Sequence, residues 1–167
     1  MRSKLMTGVC VVFIVALAGI SGHAPVSAQS GTVTGHDVTL AAALRVIDAC
    51  IEKATAQDTK MNIAVVDAGG NLKAFVRMDG SYLGSIDIAQ RKARTSRLFD
   101  APSGALGTMT QPGQPLYGLE ASNGGLITFG GGIPLRNKAG VVIGAVGVSG
   151  SSVENDVAVA EAGAAAF

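Results

Sequence analysis

The chain has 167 residues, 48% of them apolar, with 13 basic and 12 acidic side chains. That near balance excludes nucleic acid as the expected partner, because gripping phosphates needs a concentrated positive field. The length suits one domain with a real core and leaves no room for a second.

Residues 1–28 are set apart from the rest. Arg2 and Lys4 precede an apolar run over residues 5–20, and SGHAPVSA then places Val26 and Ala28 at the small-residue positions of a cleavage site. This predicts a secretory signal peptide and a secreted or periplasmic domain over residues 29–167. The competing reading, a retained membrane anchor, needs an apolar span of roughly twenty residues, and this run is shorter. Cleavage leaves eleven basic against twelve acidic residues, with Cys50 and His36 as the sole cysteine and histidine. An intramolecular disulfide, a thiolate metal cluster and a multi-histidine zinc site are thereby excluded.

Thr34 with Asp37 resembles a capping box, so the first helix is predicted to begin there. Leu40, Leu44, Ile47, Ile51 and Ala54 recur at helical spacing, with Arg45, Asp48, Glu52 and Lys53 largely on the other side. Cys50 borders that stripe and reads as a small buried residue. MNIAVVD at 61–67 and LKAFVRM at 72–78 flank AGGN and predict a β-hairpin, with Leu72, Ala74, Val76 and Met78 sharing one face. Ser85 to Phe99 is the next predicted helix, stopped ahead of Pro102. Its stripe is Ile86, Ala89, Ala93 and Ser96, while Arg91, Arg94 and Arg97 lie opposite and Asp87 is placed to pair with Arg91. Lys92 sits nearer the small-residue face, where a buried ammonium needs an anionic partner, internal or bound. Residues 100–125 are rich in proline and glycine and predict a long loop. Extended segments follow at 126–129 (LITF), 133–136 (IPLR) and 141–150 (VVIGAVGVSG), the last two around the turn NKAG, before an alanine-rich helix over 153–166. Consecutive strands joined by hairpins imply an α+β fold with an antiparallel sheet of about five strands flanked by helices.

The glycines at 130–132 invite comparison with a phosphate-cradling loop. Such a loop must lead into a helix, whereas these lead into IPLR and no GK[ST] follows. They read instead as a sharp bend, and Gly144 and Gly147 as sites where a helix packs closely on a strand. His36 has two readings, a solvated or capping histidine or an axial ligand to haem iron. Ser149 stands in no G-x-S-x-G context, and Asp67, Asp79 and Asp87 occupy turn or helix-start positions where aspartate is usually structural. The chain therefore reads as non-catalytic.

The runs IAVVDAGGNLKAFVRMDG, SIDIAQRKARTSRLFDAPSGAL, FGGGIPLRNKAGVVIGAVGVSGSS and ENDVAVAEAG resemble the GlcG/HbpS family of haem-binding-like proteins, which is itself similar to the C-terminal domain of PduO-type corrinoid adenosyltransferases. The resemblance spans essentially all of residues 29–167. It implies a profilin-like fold, symmetric homo-oligomers up to octamers, and, for secreted members, haem binding with an extracytoplasmic haem- or redox-sensing role, in one case beside a membrane sensor kinase. It further implies a hydroxyl residue near the haem after the proline that follows the second helix, and Ser103 holds that place. His36 is then the candidate iron ligand, Lys92 or Arg77 the propionate partners, and Gly131 and Gly132 the edge of the pocket. An E-x-x-E iron-binding motif found in a secreted member is absent from this chain. The alternative reading is an enzyme or catabolic accessory that binds a small carboxylate such as a hydroxy acid, with Lys92 and Arg77 as anion binders at the 100–125 loop. A third is a ring-forming scaffold whose basic helix face is only solvated.

Overall fold

The computed structural model describes residues 36–167. The predicted signal peptide and the capping position Thr34 lie outside the described residues. The first helix, α1 (Leu40–Ala56), starts later than the capping-box reading placed it. Thr39 is its N-cap, accepting a hydrogen bond from the Ala42 amide at 3.2 Å.

The buried face of α1 is Ala42, Ala43, Val46, Ile47, Cys50 and Ala54, whereas Leu40 and Leu44 remain 57% and 46% exposed. The helix is rotated from the expected stripe because its alanines, not its leucines, permit close approach to the neighbouring elements. Cys50 touches the closing helix, where its thiol donates to Val159 O at 3.4 Å. Burial pushes the Cys50 thiol up to about 12, against the smaller effect of a hydrogen bond from the Gly163 backbone.

Strands β1 (Asn62–Val66) and β2 (Leu72–Arg77) form the expected antiparallel hairpin. Its turn is held by Asp67 Oδ1, which accepts from the amides of Gly69 and Asn71 at 2.8 and 2.9 Å. Ala74, Val76 and Met78 of this segment pack on the α1 side, while Phe75 joins Ala64, Val66, Ala89, Ala93 and Ala145 on the other. Helix α2 (Ser85–Phe99) has the predicted bounds. The remaining elements are β3 (Gly132–Arg136), β4 (Val142–Ser149) and α3 (Val153–Ala165).

The sheet has four strands in the order β2-β1-β4-β3, all neighbours antiparallel. The fold is α+β and profilin-like as expected, with one strand fewer. Residues 126–129 do not pair with the sheet, because their amides are claimed elsewhere. Leu126 N donates to Glu120 O at 2.9 Å and Ile127 N to the Thr95 hydroxyl at 3.1 Å. The segment therefore runs as loop, continuing a connection that includes 3-10 turns at Ser103–Leu106 and Leu119–Ala121.

Helix α2 covers one face of the sheet, and α1 with α3 covers the other. The larger core includes Ile47, Ile63, Val65, Val146, Val148 and Val159, each fully or almost fully buried; burying such a side chain contributes roughly 1.5–3 kcal/mol. On the α2 face, contact is closer still. A Cβ at Gly147 would collide with the backbone of Ala89 and Ala93, so only glycine lets α2 rest directly on β4. Gly144 does the same for Val38 on the opposite face. Among the described residues, no helix is long and apolar enough to cross a membrane.

Candidate functional site

Lys92 lies on the sheet-facing side of α2 and is fully buried. Its ammonium donates to Asp156 Oδ2 at 2.7 Å and to Val148 O at 3.0 Å, and the Phe129 ring lies over it with its centroid at 4.7 Å. Asp156 belongs to the first turn of α3, and its other oxygen accepts from the amides of Gly150 and Ser151, both at 3.1 Å. The pair ties the helix on one face of the sheet to a helix on the other. Burial pushes the Lys92 ammonium below its usual range and the Asp156 carboxyl above its own, and the mutual contact opposes both shifts.

Gly131 makes this crossing available. It adopts φ +115, and a Cβ there would stand 2.8 Å from Lys92 Nζ and 2.7 Å from Val148 O. Ser103 holds the same bend from outside: its hydroxyl donates to Phe129 O at 2.7 Å and accepts from Gly132 N at 3.0 Å. The three glycines thus shape the backbone around an ion pair, in keeping with the reading that rejects a phosphate loop.

Beside this node an open cleft of about 610 Å³ is walled by Gly104, Gly107, Thr128, Phe129, Gly130 and Val153. Phe129 is 43% exposed, so one part of it covers Lys92 while the rest lines the cleft. Thr128 is fixed by donating to Glu120 Oε1 at 2.8 Å and accepting from the Thr110 hydroxyl at 3.3 Å. Hydrogen bonds, that of Thr110 first, hold the Glu120 carboxyl below its ordinary range.

The structure brings Ser103, Lys92, Gly131 and Gly132 together and leaves His36 and Arg77 elsewhere. His36 is exposed. The residue after it, Asp37, accepts from Ala68 N at 2.9 Å and meets Lys73 Nζ at 3.4 Å, which fixes that segment to the β1–β2 turn. That turn and the Gly131 bend are at opposite ends of the sheet, since Val66 pairs with Ala145 whereas Gly131 O accepts from Val148 N. His36 and Ser103 therefore do not flank one ligand within a chain. Arg77 is on β2, the edge strand opposite β3.

Two of the expected ligand contacts have partners within the fold. The Lys92 charge is matched inside the fold by Asp156, so it is not a free partner for a propionate. The buried Ser103 hydroxyl donates to Phe129 O and accepts from Gly132 N, so in this fold it supports the cleft wall. Asp156 was the partner that sequence reasoning did not name. Its signal was the second acid of SSVEND, in the first turn of the closing helix, but nothing in linear spacing joins it to Lys92.

A four-stranded antiparallel sheet between one helix and two, with an apolar cleft at the β3 end, defines a small profilin-like protein. The chain belongs to the HbpS-like family: the family model "Haem degrading protein HbpS-like" matches residues 38–165. An uncharacterized 15.0 kDa protein of Citrobacter freundii is 41% identical over 125 residues, 74% of this chain and 87% of that protein. The crystal structure of Klebsiella pneumoniae protein ORFY superposes with TM-score 0.77 at 39% identity, covering 79% of this chain and 91% of that one. The crystal structure of a PduOC–haem complex superposes with TM-score 0.74 at 34% identity, covering 78% and 94%.

Proposed function

We propose that the chain is an exported haem-binding protein whose macrocycle lies in the cleft beside Phe129. The observation that carries this reading is the match, over 78% of the chain, to a relative whose structure is a haem complex. The cleft is consistent with it. It is an open seat of about 610 Å³, which can receive one face of a flat ligand without enclosing it. Phe129 offers a ring to stack on, Val153 an apolar edge, and the glycines a wall without side chains. Bound haem would supply an iron centre able to change oxidation state or bind a small gas. The chain's own part would be to hold the plane, with the Thr108 hydroxyl at the cleft and, among the described residues, no imidazole lining it.

Export rests on residues 1–28, and it favours sensing or carriage of haem outside the cytoplasm. The partners this reading expects are further copies of the chain, which would cover the exposed Leu40 and Leu44 of α1, and a membrane sensor kinase. Titration of haem into the protein, followed at the Soret band, tests the placement. Phe129→Asp is expected to weaken binding about tenfold or more through loss of stacking and a repelled propionate edge. His36→Ala is expected to leave the band unchanged. The opposite pattern would move the ligand to the β1–β2 turn and overturn the assignment of the cleft.

A further inference from the structure

Between α2 and the β1–β2 hairpin lies a second, smaller cavity, of about 200 Å³, lined by Val66, Leu72, Asp87, Gln90, Arg91 and Arg94. Its volume is below the range of pockets for drug-sized ligands, so it admits only a small molecule or the end of a larger one. Arg91 is committed on two sides: Nε donates to Asp87 Oδ2 at 2.6 Å, and Nη1 to Gly124 O at 2.7 Å. These bonds fasten the end of the long loop to the helix and neutralise Asp87. Arg97, further along the helix, is likewise taken by Asp100.

Arg94 differs from both. Among the described residues no carboxylate pairs with it, and its guanidinium faces the cavity beside Gly124. The charges around the cavity are thus Asp87, Arg91 and Arg94, which leaves one uncompensated positive charge. The apolar side chains of the lining are the exposed Leu72 and the nearly buried Val66. A planar guanidinium in a cavity with apolar side chains is complementary to a carboxylate on a short apolar body, since the fork of donors matches the two oxygens.

We propose that this cavity is a binding site for a small carboxylate, with Arg94 holding the anion, Arg91 beside it, and Leu72 and Val66 against the apolar end. The carboxylate comes either from a free short-chain acid or from the acidic edge of a larger ligand. The site is distinct from the cleft at Phe129 and stands or falls separately from haem binding there.

Thermal unfolding of the purified protein is followed with increasing sodium propionate, against sodium chloride at equal ionic strength. The wild type is expected to show a saturable rise in Tm, because a ligand bound only by the folded state stabilises by mass action. Arg94→Gln is expected to raise the half-saturating concentration about tenfold or more. Its own Tm is expected to stay close to the wild type, since Arg94 makes no hydrogen bond or ion pair among the described residues; Arg91→Gln would also loosen the loop and is the poorer probe. Repeating the titration in the presence of haem separates the two sources: additive responses indicate a free acid, whereas competition would put a tetrapyrrole carboxylate in this cavity and remove the macrocycle from the Phe129 cleft. A linear response equal to that of chloride, or a propionate response unchanged in Arg94→Gln, would overturn the proposal.

Discussion

Replacing Lys92 by methionine would leave the Asp156 carboxylate buried without its counter-ion. A half-broken buried pair costs about 3–5 kcal/mol, and chemical denaturation is expected to show a loss of that size with little change in slope. Adding Asp156→Leu should recover only part of it, because the amides of Gly150 and Ser151 would then lack their acceptor. Full recovery in the double variant would mean that those two bonds contribute nothing. Asp37 makes a different, pH-dependent contribution. Burial alone would raise its carboxyl, but hydrogen bonds from the Ala68 and Val38 amides and the nearby Lys73 ammonium together hold it below the ordinary value of 3.8. A carboxyl lowered in the folded state stabilises fully above its unfolded pKa and loses that stabilisation as pH falls through the folded one. Stability should therefore decline from about pH 4 downward, and Asp37→Asn should flatten that part of the profile. An acid limb identical in the variant would contradict the assignment.

The packing of α2 on β4 depends on the absence of a side chain at Gly147. Gly147→Ala is expected to destabilise by about 1–3 kcal/mol through overpacking against the helix backbone, measured by denaturant unfolding; a neutral result would show that α2 can lift without penalty. This contact was legible in the sequence, as were the hairpin over residues 61–78 and the full extent of α2. Each follows from strong local chemistry: β-branched runs about a glycine turn, and a small-residue stripe ended by Pro102. The rotation of α1 was not legible, because a periodic reading weights Leu40 and Leu44 above Ala42 and Ala43, and only the proximity of α3 selects the smaller face. The supposed strand at 126–129 was lost for a related reason. Its apolar side chains have strand character, but its amides are satisfied by Glu120 and Thr95, partners that only tertiary structure brings within reach. In the candidate site, the special status of Lys92 and the structural role of the glycines could be read from the chain. The far ends of the interactions, Asp156 and the Phe129 carbonyl, are 64 and 26 residues away and carry no linear signal.

Over the described residues the fold is a sheet held between two helical layers, linked through its end by one ion pair, with an apolar cleft at that end. Family membership joins this arrangement to a relative solved with haem. Fastening the cleft wall through Ser103, Gly131 and Lys92 keeps it open and preformed, so a flat ligand could enter without first ordering the loop. Exposed leucines on α1 lie on the face away from α2, so an assembly built on that helix would leave the arginine cavity clear. Residues 1–28 supply the argument for export, and recovery of the protein outside the cytoplasm with its N-terminus beginning after Ala28 is the expected result. The most direct test of the central claim is the absorption spectrum of the purified protein during titration with haem, in oxidised and then reduced form. The account predicts a saturable Soret band that shifts on reduction; no saturable spectral change in either form would contradict it.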